Sequence, residues 1–246
     1  ALIGISMTGI ASKKVLELDM KKAAEMVKRE NTRVAKLIGI NKAARTTCVK
    51  PAGTTSLVLG TSSGIHAWHN DYYVRRLRVG KNEAIYSYLS IHLPDLVKDE
   101  YFRPHDTAVI EIPQQSPKGS IVRTESAFDL LERVKQVSDE WVKPGHRAGS
   151  NTHNVSATIS LKKDEWDKAG EWMWKNRDCY NGLSVLPYDG GTYTQAPFED
   201  VSEDEYNERM KHLSVINLEN VTELDDNTDL SGELACAGGS CEVTNL

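Results

Sequence analysis

Two segments of this 246-residue chain carry residue types whose spacing could do chemistry. The first is Cys236-Ala237-Gly238-Gly239-Ser240-Cys241, close to the C-terminus. Its two glycines let the backbone fold back so that the sulfurs can meet, and closing so short a loop costs little chain entropy. Exposed thiols in such a segment favour thiol–disulfide exchange. A zinc site would need about two further Cys or His ligands nearby, and beyond His212 the tail has none other than the pair itself. On residue types alone the pair is either a redox-active dithiol or two idle surface thiols.

The second segment is Lys50-Pro51-Ala52-Gly53-Thr54-Thr55-Ser56, set between a predicted strand and an apolar run with helical potential. Backbone N–H groups at a helix start attract anions, and small residues let phosphate oxygens approach them. Thr and Ser hydroxyls add donors. The spacing differs from a Walker A loop, which needs Gly-x-x-x-x-Gly-Lys-Ser/Thr. Taken alone, the segment is equally a small-residue corner between a strand and a helix.

Other residues of chemical interest read as structural. Cys48 and Cys179 stand in no catalytic context and fit small buried apolar positions. His66 and His69 lack a carboxylate at metal-ligand spacing. Trp166, Trp172 and Trp174 fit helix packing.

The elements that would position these groups alternate between helix and strand. Met20, Ala23, Ala24, Val27, Val34 and Ile38 recur at helical spacing, with Gly39 placed as a C-cap. Arg45–Val49 is β-branched and reads as a strand. Ala108–Ile112 alternates as a strand. Glu125–Val142 has helical periodicity that Pro144 and Gly145 stop. Asn154–Leu161 reads as a strand, Asp164–Trp174 as a short helix, and Gly182–Leu186 as a further strand. A helix is expected around Ser202–His212. This order predicts an α/β architecture, with a body over 1–198 and an acidic tail over 199–246. From Glu199 to Glu233 only Arg209 and Lys211 oppose the acids, and the Asp-, Asn-, Thr- and Gly-rich remainder reads as flexible.

Composition narrows the class. With 39% hydrophobic and 26% charged residues the chain is typical of a soluble globular protein. A net charge of −5 argues against a duplex nucleic-acid binder. No run approaches the roughly 18 apolar residues of a membrane span, and no basic region precedes the apolar N-terminus as in a signal peptide. Four cysteines are too few for a secreted disulfide scaffold, so a reducing, cytoplasmic location is expected. The chain opens on Ala1 inside an apolar segment, which reads as a cut from a longer protein.

The stretch Val49–Arg76, VKPAGTTSLVLGTSSGIHAWHNDYYVRR, resembles the substrate-phosphate region of class II ribonucleotide reductases. That family has a Lys-Pro-Ser-Gly-Thr-x-Ser loop, a Ser-x-Gly-Ile-His turn and a Tyr-Tyr-x-Arg-Arg strand in this order. IGISMTGIA, NVSATISLKKDEWDKAGEWMW and GLSVLPYDGGTYTQAPFE are similar to the monomeric, triphosphate-reducing branch. The resemblance implies phosphate contacts from Ala52, Gly53, Thr54, Thr55 and Ser56. Ala52 stands where the family more often has Ser, which puts one side-chain contact in doubt. It also implies that Cys236 and Cys241 re-reduce an active-site disulfide and are themselves reduced by thioredoxin or a similar carrier.

The implied fold is the second half of a ten-stranded α/β barrel with a flexible C-terminal tail. The implied cofactor is adenosylcobalamin, and the implied substrate is a ribonucleoside triphosphate. The family's radical cysteine lies in an Asn-x-Cys-x-Glu motif that this chain lacks. The chain alone is therefore expected to be inactive, needing an N-terminal part from the same or a separate chain. The rival reading is a non-catalytic phosphate-binding or thiol-carrier module.

Overall fold

A computed structural model describes residues 1–188, 193–223 and 225. In chain order it contains β1 (Leu2–Ser6), α1 (Met20–Ile38), β2 (Arg45–Cys48), α2 (Thr54–Val58), β3 (Tyr72–Gly80) and α3 (Ala84–His92). There follow β4 (Val97–Asp99), β5 (Thr107–Gln115), α4 (Ala127–Val137), β6 (Thr158–Leu161), α5 (Trp166–Lys175), β7 (Ser184–Pro187), β8 (Phe198–Asp200) and α6 (Glu203–Lys211). These elements divide into two compact units, each built from segments distant in sequence.

The first unit comprises Ala1–Trp68 and the described residues of Gly119–Asp189. Its strands are parallel. β1 pairs with β2 from Leu2↔Arg45 to Ser6↔Cys48, and β6 pairs with β7 from Thr158↔Ser184 to Leu161↔Pro187. A parallel bridge between Val49 and Val155 links the pairs in the order β1-β2-β6-β7. The described residues form no closed sheet. β1 is the outer strand and is exposed along its whole length, with Leu2 at 62% and Ile5 at 44%.

Helices cover one side of this sheet. Asp19 caps α1 by accepting the Lys22 N–H at 2.9 Å, and Gly39, at φ +74°, closes it with an N–H bond to Ala35 O. α4 starts at a Ser126/Asp129 capping box. It buries Leu130, Leu131, Val134 and Val137 against Met20, Val49, Ile65 and Ile159, each such side chain contributing about 1.5–3 kcal/mol. Its expected extension to Val142 is present as a single π-helical turn over Ser138–Val142. That turn docks on β2, where Thr47 Oγ1 donates to Trp141 O at 2.7 Å and Trp141 Nε1 donates to Cys48 O at 3.0 Å. Gly145 passes so close that a Cβ there would lie 1.8 Å from Thr47 Oγ1.

The second unit comprises His69–Lys118 and the described residues of Gly190–Leu246. Its sheet is antiparallel, ordered β4-β5-β3-β8. β3 and β5 pair continuously from Tyr72↔Gln115 to Gly80↔Thr107. Val79, Leu89, Leu93, Leu96, Ala108 and Ile110 form its core. Arg76 and Glu111, both 8% exposed, form an ion pair at 2.7 Å on this sheet. Arg209 of α6 adds a second cation to Glu111 at 3.1 Å, and Glu199 also pairs with Arg76.

Candidate functional site

Beyond β2 the chain turns sharply over 50–56. Gly53 takes φ +52°, a left-handed conformation that suits glycine. The Thr55 N–H bonds Ala52 O at 3.1 Å and the Ser56 N–H bonds Gly53 O at 3.3 Å, which starts the short α2. The expected loop residues are thus brought into one turn. One of them faces differently from expectation. Ser56 is buried and donates its hydroxyl inward to Gly53 O at 2.6 Å, so its proton is already committed, whereas Thr55 is exposed. A Cβ on Gly53 would meet nothing within 4 Å, so open space lies in front of the turn.

A second turn, Ser62–His66, forms the wall behind the loop. Gly64, at φ +56°, would carry a Cβ 2.7 Å from Lys50 O, so the two turns pack backbone to backbone. The Ala52 and Gly53 N–H groups both donate to Ser63 Oγ, at 2.9 and 3.3 Å. The wall is tied to the chain after β1, where Gly9 N–H and Thr8 Oγ1 both donate to Ser62 O at 3.0 Å. His66 holds it from below: Nδ1 lies 3.2 Å from Ser63 O, and Nε2 accepts the Thr158 N–H at 3.0 Å. These partners place the single proton on Nδ1. Burial pushes the His66 pKa below its ordinary value, opposed by the bond to Ser63 O and reinforced by the Arg133 charge. Ser63 is the position that sequence reasoning left without a role, since it stands at the unspecified place of the Ser-x-Gly-Ile-His pattern. His66 was expected to be structural, and it holds the wall.

Beside the loop, on the sheet, a cavity of about 530 Å³ is lined by residues that include Gly4, Cys48, Lys50, Asn154 and Ser156. Burial pushes the Cys48 thiol up, with the Lys50 charge and the Ser6 hydroxyl pulling it partly back. Cys179 is also buried and pushed up by burial, then by Asp139. Both are protonated thiols with little nucleophilic character, in keeping with the expected packing role. His69 makes a 3.0 Å contact with Asp200 and stacks on Phe198 in the second unit. Trp172 packs against the core and donates to Glu132 at 2.6 Å, whereas Trp174 is exposed and lies beneath Arg177.

Among the described residues there is no cluster of three or more His, Cys, Asp or Glu side chains suited to a metal. No helix among them is long and apolar enough to cross a membrane. Cys236 and Cys241 lie outside the described residues.

The chain shares the fold of a B-12 dependent (class II) ribonucleotide reductase, with a TM-score of 0.71 and 22% identity, over 89% of this chain and 34% of that one. No protein-family model matches the chain. Its curated relatives include the adenosylcobalamin-dependent ribonucleoside-triphosphate reductase of Lactobacillus acidophilus, 26% identical over 84% of this chain. The Euglena gracilis protein of the same name is 24% identical over 97% of the chain, and a probable one from Dictyostelium discoideum is 26% identical over 85%. The chain is therefore similar over most of its length to adenosylcobalamin-dependent ribonucleoside-triphosphate reductases. It spans 27%, 33% and 26% of the lengths of these three relatives.

Proposed function

We propose that this chain is the C-terminal part of an adenosylcobalamin-dependent ribonucleoside-triphosphate reductase, supplying its substrate-phosphate turn and its terminal electron-relay dithiol. The observation that carries the reading is the 50–56 turn, packed against Ser62–His66 at the end of a parallel strand in a chain with these relatives. Ala52, Gly53, Thr54, Thr55 and Ser56 form the phosphate cradle, through the open space before Gly53 and the exposed Thr55 side chain more than through the Ser56 hydroxyl, while the Ala52, Gly53, Thr55 and Ser56 N–H groups are bonded within the corner and hold its shape. An N-terminal part, in the same or a separate chain, brings the radical cysteine. The exposed apolar residues of β1 support this, because an outer strand carrying Leu2, Ile3 and Ile5 suits further strands beside it. The four parallel strands then belong to the second half of a ten-stranded barrel. The acidic segment 199–246 carries Cys236 and Cys241, with thioredoxin or a similar carrier as the reductant in a cytoplasmic setting.

The cavity of about 530 Å³ is too small to enclose a corrin carrying its nucleotide loop. No residue described here is assigned to adenosylcobalamin, whose chemistry, when bound, is to initiate the radical. What this chain's own residues do is bind and orient the triphosphate and return electrons.

The test combines the chain with an N-terminal fragment bearing the Asn-x-Cys-x-Glu motif and measures ribonucleoside triphosphate reduction. Neither part alone should turn over with adenosylcobalamin and a dithiol, and the mixture should. Gly53→Glu should weaken triphosphate binding by at least about tenfold. The carboxylate would enter the open space before the turn and repel the phosphates, and the left-handed backbone adds roughly 1 kcal/mol of strain. Turnover by the chain alone, or unchanged affinity in Gly53→Glu, would refute the reading. Triphosphate binding without reduction in the mixture would indicate a non-catalytic module instead.

A further inference from the structure

We propose that Ser63 is a further phosphate-contacting residue, whose hydroxyl accepts the Ala52 and Gly53 N–H groups and turns its own proton to the bound phosphate. The inference rests on the phosphate-cradle reading above and extends it to a residue outside the 50–56 segment. A serine hydroxyl has two lone pairs and one proton. Here the lone pairs face two loop N–H groups at 2.9 and 3.3 Å. Among the described residues no acceptor lies within hydrogen-bond reach of the remaining proton. Ser56, another buried serine of this corner, shows the alternative, since its hydroxyl is spent on Gly53 O.

Two bonds accepted by an oxygen polarise its O–H and make it a better donor to an anion. Ser63 is 7% exposed, so this donor sits in the joint between loop and wall. The wall fixes its place. His66 binds the Ser63 carbonyl, and the Gly64 backbone packs closely against Lys50 O. The position also meets a need of this particular loop. Ala52 has no hydroxyl, and the Ser63 Oγ lies 2.9 Å from the Ala52 nitrogen, which returns a hydroxyl donor to that corner from the opposite turn. His66 is then a positioning residue, acting on phosphate through the Ser63 backbone.

The experiment titrates inorganic tripolyphosphate, ATP and adenosine into the full chain and into its Ser63→Ala, Ser63→Cys, Ser62→Ala and Gly53→Glu variants, with unfolding midpoints alongside. Ser63→Ala should lose tripolyphosphate and ATP affinity by about tenfold or more, the scale of one hydrogen bond to a charged group. Its affinity for adenosine should stay unchanged. Ser63→Cys fills the same space with a weak donor and should show the same selective loss, which covers an Ala variant that fails to fold. Ser62→Ala removes a neighbouring buried hydroxyl that makes no bond to the loop and should bind as the unmodified chain does. If Gly53→Glu loses tripolyphosphate while both Ser63 variants bind normally, the cradle stands and the Ser63 assignment falls. If Ser63→Ala weakens adenosine equally, or Ser62→Ala matches it, the serine is a packing residue and the assignment is again overturned. If the unmodified chain takes up no tripolyphosphate, or Gly53→Glu binds it normally, the cradle reading itself fails and takes this one with it.

Discussion

A histidine whose two ring nitrogens are both committed cannot gain a proton without losing a bond. His66 Nε2 accepts the Thr158 N–H at 3.0 Å, so protonation there would set donor against donor. Its folded pKa lies below the ordinary histidine value, with burial the largest cause. In the unfolded chain the ring titrates near 6.5, so below that pH the unfolded state binds more protons than the folded one. The His66 contribution to stability is therefore fully present above about pH 6.5 and declines as the pH falls below it. Thermal unfolding followed from pH 7.5 to pH 5 should show this decline, and a His66→Gln variant should show a flatter profile over the same window. Identical slopes in the two proteins would show that His66 does not couple the wall to pH.

At the scale of elements, the second unit is pinned by one carboxylate. Glu111 on β5 takes Arg76 of β3 at 2.7 Å and Arg209 of α6 at 3.1 Å, so it joins the sheet to the helix. Burial alone would raise its pKa, but the hydrogen bonds and charges of Arg76 and Arg209 more than offset that and hold it below the ordinary value. Its contribution is thus present at neutral pH and is lost as the pH falls through the folded pKa. Glu111→Ala should destabilise the protein by about 3 kcal/mol, because it leaves Arg76 buried with only part of its pairing. Urea unfolding measures this, and a loss below about 1 kcal/mol would show that Glu199 compensates. Little of this network was legible beforehand, because side chains paired across strands carry no local signal in one sequence. α3 escaped for a related reason: AIYSYLSIH is apolar on most sides and shows no stripe at helical spacing. β1 read as an apolar run and is a strand, since a short apolar run does not reveal its period. By contrast α1 was visible through its periodicity and its Gly39 C-cap, and α4 and α5 through the spacing of their apolar residues, while a helix was expected at the place of α6. The 50–56 turn was legible as a motif. Its partner Ser63 was not, because the contact depends on two turns meeting in space.

At the scale of the whole molecule, the question is how electrons reach a site that this chain only partly forms. On the proposed reading, each reduction at the ribose 2′ carbon takes two electrons from a pair of active-site thiols and leaves them as a disulfide. On that reading the disulfide would lie inside a barrel, where a folded reductant the size of thioredoxin could not reach it. Cys236 and Cys241 would enter instead: one thiolate attacks the active-site disulfide, the second resolves the mixed disulfide, and the pair leaves oxidised. Attachment to the same assembly would make this exchange effectively intramolecular, which raises the local thiol concentration without any new contact. Thioredoxin or a similar carrier would then reduce the tail disulfide outside. The assembled enzyme carrying Cys236→Ser and Cys241→Ser should therefore complete about one turnover on its preloaded active-site thiols and stall with thioredoxin as reductant. Each single variant should stall as well, because a lone thiol can attack but cannot resolve. Dithiothreitol should restore multiple turnover in all three variants, since a small dithiol enters where a protein cannot. The two reductants separate the outcomes. A stall that dithiothreitol does not relieve would point to a folding or binding defect, and sustained turnover with thioredoxin by the double variant would remove the pair from the electron path altogether.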